Sequence, residues 1–208
     1  FRVIALDQRG HGLSGKAYEP DAYLRENLAR DVVELMDHLG VNRVDLFGYS
    51  MGARVAAAAA LAAPHRFSNL ILGGVGDKML SERPSARSEV MAQAMLADDP
   101  ETITEPFLKS SRQFADEQGE DRRALAAFVQ AQNPPLDTEG FATLPMPMLA
   151  VAGQRETNGD PELLAQAFGD GRGVVIPGCD HFSAIPHALT KAAVFDFIAG
   201  VLDDPWAR

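Results

Sequence analysis

The chain lacks the residues and runs that define several large classes of protein. Cys179 is the single cysteine in 208 residues, so no disulfide forms within the chain and no cysteine cluster holds a metal. No apolar run approaches the roughly 20 residues that a helix needs to cross a bilayer. Lysine and arginine total 19 against 29 acidic residues, and the net charge of −10 argues against binding to nucleic acid or to an anionic membrane surface.

What is present is ordinary for a globular protein, with 46% hydrophobic and 23% charged residues. Short β-like runs alternate with helical stretches, a pattern that predicts a mostly parallel sheet with helices on both faces. Apolar residues at helical spacing predict one amphipathic helix from about Asp21 to Leu39, ended by Gly40. The predicted fold class is therefore α/β.

The segment Gly48–Gly52 reads G-Y-S-M-G and carries the strongest functional signal. It lies between a predicted strand, Val44–Phe47, and an alanine-rich predicted helix, Arg54–Ala63. A G-x-S-x-G pattern in that setting is typical of a nucleophile elbow, a sharp turn that exposes a serine hydroxyl. We predict that Ser50 is a nucleophile and that the backbone N–H of Met51 is one donor of an oxyanion hole.

Of the five histidines, His181 is best placed to act as the general base. It lies in the loop Gly178–Phe182, which follows a predicted strand, Gly173–Pro177. Loops that follow parallel strands share one edge of the sheet, so a histidine there can reach a serine that follows an earlier strand. His65 and His187 are more simply explained as a surface residue and a helix-start residue, and a structural loop histidine is the alternative interpretation of His181.

Three carboxylates are candidates for the acid that orients this base. Glu156 lies three residues beyond Gly153, at the end of a predicted strand, and is the preferred acid. Asp160 precedes Pro161 and a helical run, so an N-cap explains it well. Asp77 follows an earlier apolar run and is the third alternative. The acid would hold the imidazole tautomer and stabilise the imidazolium.

Together with the G-x-S-x-G segment, three stretches of the chain resemble the α/β-hydrolase fold family. Residues 3–14 look like that family's strand and turn with the pattern D-x-R-G-x-G-x-S. The Val-Ala-Gly stretch before Glu156 and the Gly-x-x-His that ends at His181 are similar to its acid and base loops. Family members usually carry aspartate at the position of Glu156, and glutamate is an accepted variant.

The resemblance also implies several strands before residue 3, with a loop that supplies the second oxyanion donor. The chain has no initiator methionine and opens within the predicted strand, so we expect a fragment of a longer product. The second donor is therefore left unassigned.

Residues 77–143 interrupt the alternation of strands and helices. They contain helical pieces without a convincing strand, which predicts a helical cap inserted into a core of residues 1–76 and 144–208. The resemblance implies that such a cap lies over the active site and shapes the acyl and alcohol pockets.

The resemblance implies a serine hydrolase that needs no cofactor or metal. Its expected partner is a small or medium acyl substrate, a carboxylic ester or a related compound, cleaved through an acyl-enzyme. Separately, we expect a cytoplasmic location. Serine at the elbow disfavours the epoxide hydrolase and haloalkane dehalogenase branches of the family. The sequence does not separate esterase from lactonase, C–C hydrolase, perhydrolase or acyltransferase, and a non-catalytic ligand-binding member of the fold is the alternative.

Overall fold

The computed structural model describes residues 1–81 and 85–202. The chain divides into two compact units, Phe1–Asp31 with Arg83–Pro134 and Val32–Glu82 with Pro135–Arg208. The second unit holds the sheet and all the predicted site residues. The division into a core and a cap stays a prediction, and in the structure the first 31 residues group with the helical segment.

Four parallel strands form the sheet of the second unit. In spatial order they are β1 (Val44–Tyr49), β2 (Phe67–Gly73), β3 (Met148–Gly153) and β4 (Gly171–Ile176). All six residues of β3 are buried, as expected for a strand that is covered on both faces. Because parallel strands end at the same edge, the loops that carry Ser50, Glu156 and His181 lie along one edge of this sheet.

Helices cover both faces of the sheet, as predicted. On one face Ile71 belongs to an apolar cluster with Phe197 of the last helix. Successive side chains of a strand point to opposite faces, so Gly48 and Gly173 lie on the other face. A Cβ at either glycine would collide with the backbone of a helix packed there. The three helices are α2 (Met51–Ala62), α7 (Pro161–Ala165) and α8 (Ala188–Ile198).

The other helices fall in the stretch predicted as an amphipathic helix and in the segment 77–143, which is predicted to contain helical pieces. Helix α1 begins at Arg25 and ends at His38, before Gly40 with its φ of 64°. The helices between β2 and β3 are α3 (Ser85–Leu96), α4 (Pro106–Glu117), α5 (Arg122–Gln130) and α6 (Thr138–Phe141). In the described part of the chain, no helix combines the length and the apolar character needed to cross a bilayer.

A buried arginine joins two of these helices in the first unit. Arg112 of α4 is 2% exposed, and its guanidinium donates to the carbonyl oxygens of Ala94 and Ala97 at the end of α3. Its Nε also donates to Asp116 at 2.9 Å. A buried charge is costly unless it is paired and hydrogen-bonded, and here both conditions are met.

The strand predicted within residues 3–14 is not formed. Residues 1–8 have no β pairing, and Phe1 and Val3 are 89% and 85% exposed. Strand geometry is stabilised by backbone hydrogen bonds to a neighbouring strand. Among the described residues the sheet contains only β1 to β4, and none of them pairs with this segment.

The turn of the same motif is held by hydrogen bonds between its own residues. Asp7 Oδ2 accepts the N–H of Leu13 at 2.9 Å, and the carbonyl oxygen of Asp7 accepts the hydroxyl of Ser14 at 2.6 Å. Arg9 donates to both carboxylate oxygens of Asp31 in α1, at 2.7 and 2.5 Å. The D-x-R-G-x-G-x-S pattern therefore builds a structural turn in the first unit.

Candidate active site

Ser50 occupies a strained turn between β1 and α2. Its backbone angles are φ 55° and ψ −109°, and among the described residues it is the sole non-glycine with a positive φ. Such angles cost an L-residue free energy and are typical of a nucleophile elbow. The N–H of Ser50 donates to the carbonyl oxygen of Gly73 at 2.7 Å, which ties the turn to the end of β2. Met51 follows as the first residue of α2, where backbone N–H groups lack helical partners.

The two glycines of the elbow differ in their surroundings. A Cβ built on Gly48 would lie 2.1 Å from the carbonyl oxygen of Gly52, whereas one built on Gly52 would meet nothing within 4 Å. Neither glycine is among those with a positive φ. Gly48 is therefore needed for the close approach of α2 to β1.

We expect Gly48→Ala to lower the free energy of unfolding by about 3 kcal/mol or more, because the added methyl group must displace helix backbone. Gly52→Ala is the matched control, and we expect it to change stability by less than about 1 kcal/mol. Urea denaturation followed by circular dichroism measures both. Equal losses in the two variants would contradict the steric argument.

Glu156 and His181 form a buried hydrogen-bonded pair. His181 Nδ1 lies 2.7 Å from Glu156 Oε2, and the two side chains are 9% and 1% exposed. Glu156 Oε1 accepts the N–H of Asn158 at 3.0 Å, so both carboxylate oxygens have donors. A proton on Nδ1 that is shared with the carboxylate leaves the lone pair of the imidazole on Nε2, which is the form a general base requires.

The loops that carry this pair are joined by backbone contacts. The N–H of Arg155 donates to the carbonyl oxygen of Cys179 at 2.8 Å. A Cβ at Gly153 would lie 2.5 Å from that same oxygen, so the end of β3 packs directly on the histidine loop. Cys179 itself is 5% exposed and belongs to the apolar cluster that contains Ile71.

Tyr49 links the nucleophile turn to the histidine loop. Its hydroxyl donates to the carbonyl oxygen of His181 at 2.5 Å, and the two ring centroids are 5.4 Å apart. Burial, and then the charges of Glu156 and Asp180, raise the pKa of Tyr49, so the hydroxyl keeps the proton that it donates. Tyr49 is not among the residues predicted from the sequence, where its position beside Ser50 is the one signal that points to it.

The alternative acids have other partners in the structure. Asp160 caps α7 by accepting the N–H of Glu162 at 2.7 Å, as its N-cap interpretation predicted. Asp77 Oδ1 accepts the N–H of Asp160 at 2.8 Å. The carboxylate that the structure brings to His181 is that of Glu156, while the roles assigned to the site residues remain predictions.

The remaining histidines after Ser50 lie outside the Glu156–His181 pair. His187 caps α8 by accepting the N–H of Leu189 at 3.2 Å, as predicted, and His65 is exposed. Within residues 1–81 and 85–202, no three His, Cys, Asp or Glu side chains form a group able to hold a metal ion.

The fold is shared with solved structures. A thermophilic esterase from Thermogutta terrifontis superimposes with a TM-score of 0.69 at 24% identity, over 93% of this chain and 78% of that one. At 24% sequence identity, this similarity shows a shared fold and does not show a shared activity. A family model described as alpha/beta hydrolase fold matches residues 1–105, just over half of the chain. The chain belongs to the α/β-hydrolase fold family.

Relatives of this α/β-hydrolase chain carry names from more than one reaction class. It is 32% identical over 140 residues to the dihydrolipoyllysine-residue acetyltransferase component of the acetoin cleaving system of Pseudomonas putida, covering 62% of this chain and 37% of that protein. It is 28% identical over 127 residues to 3-oxoadipate enol-lactonase 2 of Acinetobacter baylyi, covering 58% and 47%. The chain therefore spans less than half the length of either relative in these matches.

Proposed function

We propose that the protein is a serine hydrolase that acts on a small or medium carboxylic ester or a related acyl substrate. The observation that carries this proposal is the 2.7 Å bond between His181 Nδ1 and Glu156 Oε2, with the glutamate side chain 1% exposed. Burying an ionisable pair costs free energy that a merely structural loop could avoid with apolar residues. The pair lies at the same edge of the sheet as the strained Ser50, and nucleophilic catalysis requires a base near the nucleophile.

The first half-reaction forms an acyl-enzyme. Ser50 Oγ attacks the carbonyl carbon of the ester while His181 Nε2 takes the hydroxyl proton. Glu156 stabilises the imidazolium, and the N–H of Met51 donates to the oxyanion of the tetrahedral intermediate. The intermediate collapses, the C–O bond to the alcohol breaks, and His181 returns the proton to the leaving alkoxide.

The second half-reaction regenerates the serine. His181 removes a proton from water, which attacks the acyl carbon and forms a second tetrahedral intermediate. Collapse of that intermediate releases the carboxylic acid, and Ser50 regains its proton from His181. The residues named here supply the nucleophile, the general base and acid, and one oxyanion donor of this cycle.

The names of the relatives support an acyl substrate. One is an enol-lactonase, and a lactone is a cyclic ester. The other is an acetyltransferase component, and acetyl transfer moves an acyl group from a donor to an acceptor. Both reactions pass through attack on an activated carbonyl carbon, which is the step that Ser50 and His181 would perform.

The proposal is tested by covalent labelling of the full-length protein with a fluorophosphonate probe. We expect a stoichiometric adduct that mass spectrometry locates on Ser50. We expect His181→Ala to slow its formation by at least about 100-fold, because the hydroxyl loses its base. A folded protein that forms no adduct would contradict the proposal and favour a non-catalytic ligand-binding member of the fold.

A further inference from the structure

The loop that carries Glu156 is bound along its length to the loop that follows β2. We call residues 156–160 the acid loop and residues 74–78 the β2 loop. The N–H of Gly76 donates to the carbonyl oxygen of Asn158, and the N–H of Asp77 to that of Asp160, both at 3.1 Å. Lys78 Nζ donates to the carbonyl oxygen of Thr157 at 3.0 Å. The β2 loop therefore supports the acid loop over most of its residues.

Asp77 contributes the side-chain bond at the centre of this contact. Its Oδ1 accepts the N–H of Asp160 at 2.8 Å. Gly159 has a φ of 102°, and a Cβ there would lie 2.3 Å from the same oxygen. A Cβ at Gly76 would lie 2.1 Å from the carbonyl carbon of Gly159. The two loops thus touch through backbone and through Asp77 Oδ1, which acts as a hydrogen-bond acceptor.

Asn158 connects this contact to the Glu156–His181 pair. Its N–H donates to Glu156 Oε1 at 3.0 Å, and its Nδ2 lies 3.3 Å from the carbonyl oxygen of Gly74 and 3.5 Å from His181 Nδ1. A glutamate side chain has three rotatable torsions and much rotamer entropy, so its carboxylate needs an external constraint. The acid loop supplies that constraint, and the β2 loop holds the acid loop.

We propose that Asp77 is a positioning residue for the Glu156–His181 pair. By accepting the N–H of Asp160 it fixes the acid loop, and the acid loop presents the Glu156 carboxylate to His181 Nδ1. The role requires an acceptor oxygen at position 77 and does not require a negative charge. This differs from the alternative in which Asp77 is itself the acid of the triad, since that role depends on the charge.

The test compares Asp77→Asn with Asp77→Ala, and it uses Asp170→Ala as the matched control. The amide oxygen of asparagine can accept the same N–H, while alanine cannot. Asp170 is an exposed aspartate that precedes β4, at the opposite edge of the sheet, and bonds to Arg172. The low-field proton NMR signal of the His181 Nδ1 proton reports the bond to Glu156 directly, and kcat for an aryl ester reports its consequence.

We expect Asp77→Asn and Asp170→Ala to keep the low-field signal and to keep kcat within about 3-fold. We expect Asp77→Ala to lose or broaden the signal and to lower kcat by about 10- to 100-fold with little change in KM, because a misplaced catalytic group loses rate. The kinetic readout rests on the proposed hydrolase function, whereas the NMR readout does not.

Several outcomes would overturn the positioning role. An Asp77→Ala protein with an unchanged signal and kcat shows that the hydrogen bond from Asp160 to Asp77 is unnecessary. An Asp77→Asn protein as impaired as Glu156→Gln shows that the charge matters, and this variant decides the question if Asp77→Ala does not fold. If the wild type shows the signal but hydrolyses no ester, the proposed function fails, and the signals of the two Asp77 variants still decide the role of Asp77. A wild type without the signal overturns the inferred pair itself.

Discussion

Ser50→Ala should lower kcat for hydrolysis of a simple aryl ester by at least about 10⁴-fold, because no other group in the site replaces the attacking oxygen. Alanine keeps the Cβ and therefore the same backbone strain at φ 55°, so we expect the thermal midpoint to change little. The measurement is steady-state kinetics together with fluorophosphonate labelling, which should find no adduct in this variant.

Ser68→Ala is the matched control for this loss. Ser68 is the second residue of β2 and lies toward the opposite edge of the sheet from Ser50, so its removal should leave kcat within about 2-fold. Turnover that survives in Ser50→Ala would show that another residue performs the chemistry. A wild type that binds a ligand without turnover, and keeps its affinity in Ser50→Ala, would favour a binding protein.

Glu156→Gln should lower kcat by about 10³-fold or more. The amide keeps the shape of the carboxylate but removes the negative charge that stabilises the imidazolium, and its NH₂ group favours the wrong tautomer of His181. The side chain is 1% exposed, so water cannot take over either role. Steady-state kinetics with the same aryl ester measures the loss.

Asp160→Asn provides the comparison, because asparagine caps a helix about as well as aspartate does. We expect kcat within about 3-fold of wild type and an unchanged α7. A larger loss in Asp160→Asn than in Glu156→Gln would reverse the assignment of the acid. Equal losses of kcat in the two variants would show that catalysis depends on both carboxylates.

The parts of the site that the sequence could predict are those encoded locally. The G-x-S-x-G pattern between a strand and an alanine helix describes a turn of five residues, and its neighbours determine its conformation. The positions of His181 and Glu156 follow from chain order and from the shared edge of parallel strands. These inferences need no knowledge of which side chains meet across the fold.

The features that the sequence could not predict depend on partners that are distant in the chain. The bond from Tyr49 to His181 joins residues 132 positions apart, and the bond from Asp160 to Asp77 spans 83. The strand expected within residues 3–14 failed for the same reason, since an apolar run becomes a strand only when another strand is available to pair with it. The pattern of neighbouring residues does not show which distant segments will pair.

The glutamate at position 156 shows an intermediate case. Its identity and place were visible in the sequence, but the way the fold accommodates one extra methylene group was not. The two carboxylate oxygens of Glu156 have different hydrogen-bond partners. Oε2 pairs with His181 Nδ1, and Oε1 accepts the N–H of Asn158. A longer acid is therefore compatible with the site when the following residues turn back toward it.

The φ of 55° at Ser50 lowers the stability of the folded protein at the residue that we propose as the nucleophile. An L-residue held there costs the folded state roughly 1–2 kcal/mol, and glycine would relieve most of that cost. A screen of variants ranked by melting temperature alone would therefore select against the serine. If Ser50 is the nucleophile that we propose, Ser50→Gly would be more stable and inactive, so a search for heat-resistant variants would have to measure turnover as well as melting temperature.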